Sequence, residues 1–171
     1  MARVIERKEL LGSAVDIAPW LIGKLLCREI DGEIVRKRIV ETECYFGEED
    51  TACHAHKGRT ERTDIMYREG GNAYVYLCYG MHSLLNIVCG DDGHPEAVLI
   101  RGVEGANGPG RLTKLMNITR EQNGILLSPE NGLWIEDGGD DFEYITAPRV
   151  GIDYADKRDR EIHWRFILKS K

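Results

Sequence analysis

The amino-acid sequence predicts a mixed α/β fold, and three stretches carry that reading. "SAVDIAPWLIG" (13–23) has helical apolar spacing behind Ser13 or Asp16 as a cap, with Pro19 within a turn of Asp16. "KLLCREIDGEIVRKRIVETECYF" (24–46) reads as two strands around Asp31-Gly32, a strong hairpin dipeptide. "NAYVYLCYGMHSLLNIVCG" (72–90) reads as strand, tight turn over 79–82, and strand again. Between the two hairpins, from Gly47 to Gly71, the chain is polar and shows no convincing period. It reads as a long loop, and a loop of that length in a compact domain is usually functional. Further on, "EAVLIRGVEG" is a β run, "GPGRLTKLMNI" a helix, and "GLWIED" and "IHWRFIL" are late strands. No repeat, linker or low-complexity segment interrupts the series.

The chain has 171 residues, which fits one domain spanning 1–171 with a sizeable core. Its 42% hydrophobic and 30% charged residues are ordinary for a globular protein. No apolar run approaches the roughly 20 residues that span a membrane. The opening "MARVIERKELLGSAVDIAPW" is too polar and too mixed in charge for a secretory signal. Five cysteines, Cys27, Cys44, Cys53, Cys78 and Cys89, include no C-x-x-C pair. An odd number without a signal points to free thiols in a reducing compartment, hence a cytoplasmic protein.

A net charge of −6 argues mildly against a protein that simply coats nucleic acid. The charge is uneven, however. Residues 129–143 hold Glu130, Glu136, Asp137, Asp140, Asp141 and Glu143 with no basic residue. Lys57, Arg59, Arg62 and Arg68 cluster in the long loop, Arg111 and Lys114 in the second helix, and the C-terminal tail is basic. A solvated surface explains any one such run. Converging in space, the basic clusters would form a local phosphate-binding face.

The chemistry concentrates in "VETECYFGEEDTACHAH" (40–56). Strand alternation points Glu41, Glu43 and Tyr45 to one side. Carboxylates beside a glycosidic bond are one reason to build such a face. The plainer alternative is the polar outer face of a hairpin. His54 and His56 raise a metal reading, but His82, His94 and His163 complete no zinc spacing, and loop histidines more often serve as hydrogen-bonding groups. The cysteines sit mostly among strand hydrophobes, where a small buried residue is expected rather than a nucleophile. Tyr79 occupies a turn tip, a place that normally carries small polar residues. A large side chain there is what a wedge filling the space of a displaced base requires. Asn86, among "LLNIV", must be hydrogen-bonded or reading a ligand. Arg101, at the end of an apolar strand, calls for a carboxylate, with Glu43 a candidate.

"RIVETECYFGEEDTACHAHKGRT", "YVYLCYGMHSLLNIV", "AVLIRGVEG", "GPGRLTK" and "APRVGIDYA…WRF" occur in one order along the chain. In that order they resemble the alkyladenine (3-methyladenine) DNA glycosylases, from about residue 22 to the C-terminus. Without the long N-terminal extension of the animal members, the chain is similar to the compact bacterial type. The resemblance implies a mixed α/β domain whose curved, largely antiparallel sheet is flanked by helices, with a protruding β-hairpin. It also implies roles. Glu43 matches the base that activates the attacking water, Arg101 an arginine that helps hold it, and the Val150 carbonyl a third water contact. Tyr45, His54 and Tyr76 match walls stacked around a flipped base, and Asn86 the floor residue that disfavours guanine through its exocyclic amino group. Tyr79 matches the residue that enters the duplex through the minor groove. Glu41 matches a family position but not the base.

The implied reaction is hydrolysis of the N-glycosidic bond of a damaged purine in double-stranded DNA, the class of 3-methyladenine, 7-methylguanine, hypoxanthine and ethenoadenine. Such a reaction passes through an oxocarbenium-like state that a carboxylate stabilises while it orients water. Bases alkylated at N3 or N7 are cationic and leave readily, whereas neutral damaged purines need protonation. No lysine is marked as a Schiff-base nucleophile, so the expectation is a monofunctional enzyme without lyase activity. No helix-hairpin-helix pattern and no cysteine quartet for an iron–sulfur cluster are present. The resemblance implies no cofactor, no metal and no membrane partner, a monomer, and nucleoid association through DNA. Two alternatives stay open at this point: a catalytically silent nucleic-acid-binding module, and a metal-dependent hydrolase built on His54 and His56.

Overall fold

The computed structural model of the protein describes residues 2–139 and 142–169. Asp140 and Asp141, two members of the acidic run, lie outside the described residues. Helix α1 (Ala14–Trp20) starts at Ser13, whose Oγ accepts the Val15 N–H at 3.3 Å. Strands β1 (Leu25–Ile30) and β2 (Glu33–Tyr45) follow, joined by Asp31-Gly32 with φ of +50° and +82°. A two-residue hairpin turn demands that left-handed backbone, which aspartate tolerates and glycine favours. Next come β3 (Ala73–Cys78), β4 (His82–Val88), β5 (Ala97–Val103) and the short β6 (Ala106–Asn107). Helix α2 (Pro109–Leu115) opens on a proline, whose missing N–H costs nothing in a first turn. β7 (Leu133–Glu136), β8 (Tyr144–Ala147), α3 (Lys157–Glu161) and β9 (Arg165–Leu168) complete the fold.

The strands form one curled, nine-stranded antiparallel sheet in the order β3-β4-β5-β2-β1-β7. β2 is its spine. Its first half pairs with β1, its second half pairs with β5 on one side and with β9 on the other, and β8 extends β9. Alternation along the strands then divides the interior in two. Ala73, Val75, Leu85, Ile87, Val98 and Ile100 point to the main core beneath α1 and α2, with Leu21, Leu112 and Met116. Tyr74, Val88 and Ala97 point the opposite way, against Cys53, Ala55, Ile65, Met66 and Tyr67 of the long loop. Helices α1 and α2 therefore flank one face, and the 47–71 loop, tied to α3 through Thr51 and Asp159, roofs the other.

Several details differ from the sequence reading. The 47–71 segment contains three 3-10 turns, Gly47–Glu49, His54–Lys57 and Asp64–Tyr67, too short to leave an amphipathic period. His82 belongs to β4 and pairs with Cys78, so the turn is Tyr79-Gly80-Met81 alone. β6, β8 and α3 had no signal. Within the acidic run, Glu136 is buried against Arg36 and the Trp134 indole N–H, while Asp137 faces Arg3 and Glu143 faces Lys169.

Candidate active site

Strand register builds the site. Tyr74 pairs with Asn86, Asn86 with Leu99, Leu99 with Glu43, and Glu43 with Arg165. Directly opposed residues share a face, so Tyr74, Asn86, Leu99 and Glu43 form one row across four strands on the loop-covered side. Asn86 and Glu43 stand two strand spacings apart, roughly 10 Å. A group held between them can be read at one end and attacked at the other. The β2–β5 pairing slips at Glu41, whose partner is Gly102, and Arg101 has none in that ladder. Such irregularities re-aim a side chain, and here it is the arginine that turns toward Glu41 and Glu43.

Glu43 is fully buried, with a relative exposure of 0%, and Glu41 is 7% exposed, so this stretch is not a solvated outer face. Around Glu43 the polar groups converge. The Tyr45 hydroxyl donates to Oε1 at 2.9 Å and the Val150 N–H donates to Oε2 at 2.8 Å. Arg101 Nη1 stands 3.8 Å from Oε1. Its close partner is instead Glu41, whose Oε2 accepts from Arg101 Nε at 3.0 Å and from Arg165 Nε at 2.9 Å. The sequence reading had offered Glu43 as that partner; Glu41 holds the bulged arginine more closely. Burial pushes the Glu43 carboxyl above its ordinary value, against the opposing pull of Arg101 and the Val150 and Tyr45 hydrogen bonds. Burial and the adjacent Glu43 hold the Tyr45 phenol well above its usual range, so it stays a donor.

Beside this centre lies an aromatic recess lined by Tyr45, His54, Met66, Tyr74, Tyr76 and Asn86. It holds about 30 Å³, room for about one water and far less than a purine. His54 Nδ1 hydrogen-bonds the Tyr74 hydroxyl at 3.0 Å, and its ring meets Tyr76 edge-on at 4.5 Å between centroids. Burial, aided by Arg62, lowers the His54 pKa to about 4, so the ring is neutral near pH 7. Asn86 is buried and donates to the Tyr74 carbonyl at 3.2 Å. The recess is the floor of a cleft of about 800 Å³ that also reaches Arg101, Val150, Tyr154 and Tyr79. That volume is within the range of ligand pockets.

Tyr79 does not enter the recess. It stands on the cleft rim at the tip of the β3–β4 hairpin, 93% exposed and with φ of +53°. Of the basic clusters, Arg62, Arg111 and Lys114 line this cleft, and Arg62 lies over the Tyr76 ring. Arg59 and Arg68 both pair with Asp64. Tyr45, His54, Tyr76, Arg101 and Val150 thus line one cleft with Tyr79 at its edge, Asn86 lines the recess at its floor, and Glu43 lies buried against Tyr45, Arg101 and Val150. Val150 contributes its amide to Glu43.

Other groups in the site carried no signal in the sequence. Arg149 is fully buried and bidentate to Asp50 at 2.6 and 2.9 Å, and it also donates to the carbonyls of Cys44 and Asp159. Its guanidinium lies between the Tyr45 and Trp164 rings, 5.0 and 5.1 Å from their centroids. Tyr74 carries the hydroxyl that fixes His54. Burial raises the thiols of Cys27, to about 12, and Cys53, to about 11, and those of Cys44 and Cys89 further, which keeps them protonated. Among the described residues no three His, Cys, Asp or Glu side chains are placed to hold a metal, and His56 Nδ1 is engaged by the Glu48 carbonyl. No helix among them is long and apolar enough to cross a membrane.

The profile of the family described as "Methylpurine-DNA glycosylase (MPG)" matches residues 8–106 and 104–171. A protein of Borreliella burgdorferi (strain ZS7) named "Putative 3-methyladenine DNA glycosylase" is 43% identical over 179 residues, covering 97% of this chain and 96% of the relative. Relatives of the same name from Methanocella arvoryzae and Psychrobacter cryohalolentis are 42% and 46% identical. They cover 91% and 81% of this chain, and 88% and 80% of their own lengths.

Proposed function

Because the chain belongs to the methylpurine-DNA glycosylase family, a family of base-excision repair enzymes, we propose that it flips a damaged purine out of duplex DNA and hydrolyses the N-glycosidic bond with water activated by Glu43. The observation that carries this reading is Glu43 itself. A fully buried carboxyl, held by two hydrogen bonds and facing an arginine, sits against Tyr45, Val150 and Arg101, three residues that line the cleft.

The roles follow from position. Glu43 takes the proton of the attacking water and stabilises positive charge developing on the sugar. Arg101 and the Val150 carbonyl hold that water. Tyr45, His54 and Tyr76 stack on the flipped base, and Asn86 at the far end of the row disfavours an exocyclic amino group. The recess is small, so the flipped base sits in the cleft above it, which Tyr45, His54 and Tyr76 also line. Tyr79 fills the gap left in the duplex, and Arg62, Arg111 and Lys114 meet phosphates. A neutral His54 suits the chemistry, since an imidazolium would repel the cationic alkylated purines. The reading is of a monofunctional enzyme that leaves an abasic site. The reading covers 3-methyladenine, 7-methylguanine, hypoxanthine and ethenoadenine as substrates, and a monomeric, single-domain enzyme acting on nucleoid DNA in the cytoplasm.

The test is base release in EDTA from duplexes bearing hypoxanthine, ethenoadenine or random methylation. Wild type is expected to make abasic sites, and Glu43→Gln to lose about 10²–10⁴-fold in rate. The wild-type rate should fall with acid as Glu43 takes up its proton, at a pH above the ordinary carboxylate range. Lesion binding with no release by wild type would point to a silent binding module. Release abolished by EDTA would point to a metal hydrolase.

A further inference from the structure

Resting on that reading, we propose that Glu41 is a positioning residue for excision, holding Arg101 beside Glu43 but out of full contact with it. Arg101 leaves the β2–β5 ladder, so its backbone does not by itself set where the guanidinium lies. Two carboxylates are within its reach, and a guanidinium prefers the bidentate grip of one. Glu41 accepts from Nε at 3.0 Å, and Nη1 is left 3.8 Å from Glu43 Oε1. Arg165, the backbone partner of Glu43 on β9, anchors the same Glu41 Oε2 at 2.9 Å. The Glu41 carboxylate is thus pinned from two strands before it acts on Arg101.

The consequence is chemical. A direct Arg101–Glu43 pair would bring Nη1 onto Oε1, the oxygen that already accepts the Tyr45 hydroxyl, and quench its basicity. An Arg101 free to swing into the cleft would leave the water with one contact fewer. Glu41 prevents both, and displacements on the order of 1 Å at a reacting centre can cost about a hundredfold in rate. The charged and titratable groups facing Glu43 are Glu41 and Tyr45 on β2, Arg101 on β5, Arg165 on β9, and Arg149 and Tyr154 from the segment before α3. Removing the Glu41 charge takes away a like charge and releases an opposite one. Both changes favour the Glu43 carboxylate.

Single-turnover excision across pH, with wild type, Glu41→Gln, Arg101→Gln and the double variant, tests this. Glu41→Gln should lower the plateau rate by roughly tenfold to a hundredfold, move the acid limb to lower pH and leave lesion affinity within about threefold. The double variant should be no slower than Arg101→Gln alone, because Glu41 acts through Arg101. Losses that multiply, or a lowered plateau with an unmoved limb, would overturn the proposal. If Glu41→Gln does not fold, Arg165→Gln serves. It leaves the Glu41–Arg101 bond in place, so its acid limb should rise and its plateau stay above that of Arg101→Gln. A plateau as low as Arg101→Gln would sink the idea. Wild type releasing no base would instead overturn the glycosylase reading itself.

Discussion

Replacing Asp50 by asparagine should unlatch the site from behind. Asp50 and Arg149 are respectively 1% and 0% exposed at their side chains, and they share two bonds of 2.6 and 2.9 Å. Asp50 also accepts the backbone N–H groups of Phe46 and Ala52, both at 3.0 Å. Asparagine keeps the shape and one acceptor oxygen but removes the charge. Arg149 would retain two carbonyl acceptors and its two ring faces, and its cation would be buried without an anion. Breaking a buried pair from one side costs about 3–5 kcal/mol. Against a total stability of roughly 5–15 kcal/mol, this is a large share. Urea unfolding followed by tryptophan fluorescence should show a midpoint lower by about 1–3 M, taking a slope near 1.5–3 kcal/mol per M. Excision should fall as well, because Arg149 precedes Val150 and backs Tyr45. A loss below about 1 kcal/mol would refute the reasoning and mean that water reaches the pair.

Two further outcomes follow from the same geometry. In ring-nitrogen NMR, His54, assigned against His54→Gln, should stay neutral down to about pH 5 and titrate near 4; a midpoint at 6 or above contradicts the burial argument. Because its folded pKa is depressed from 6.5, its contribution to stability is full above that value and is lost as pH falls through about 4, up to roughly 3 kcal/mol in all. Tyr79→Gly keeps a backbone that already sits at φ of +53° and removes only an exposed ring. Unfolding should shift by no more than about 0.5 kcal/mol, whereas affinity for lesion duplex should fall roughly tenfold to a hundredfold, the worth of one stacked base. Unchanged affinity would remove Tyr79 from the DNA interface.

What the sequence disclosed depended on the range of the interaction involved. Asp31-Gly32 and the Ser13 cap are local chemistry, and both hairpins and the first helix were legible from it. α3 is KRDRE, polar all round, and β8 is four largely exposed residues, so neither leaves a pattern. Glu41 and Glu43 looked like a polar face because alternation shows which side a residue takes but not what covers it. Their cover comes from the long loop and from strands about 60 and 120 residues away. The Arg149–Asp50 pair spans 99 positions, and nothing in "APRVGIDYA" or "FGEEDT" marks the two as partners. Of the residues named by resemblance, Tyr45, His54, Tyr76, Tyr79, Arg101 and Val150 line the cleft, Asn86 lines its recess and Glu43 lies buried behind them, but the resemblance had no word for Arg149.

The acidic total and the DNA-binding reading are compatible once the charges have addresses. Many arginines are neutralised in place: Arg3 on Glu9, Arg59 and Arg68 on Asp64, Arg101 and Arg165 on Glu41, Arg149 on Asp50. Arg62, Arg111 and Lys114 make no ion pair among the described residues, and all three line the cleft below Tyr79. β7, which carries Glu136 of the acidic run, lies five strand spacings from β3, roughly 24 Å along the sheet. Screening acts over about 8–10 Å at physiological salt. A phosphate at the Tyr79 hairpin therefore meets Arg62, Arg111 and Lys114 and hardly senses the β7 edge, and a net charge of −6 does not decide what this face attracts.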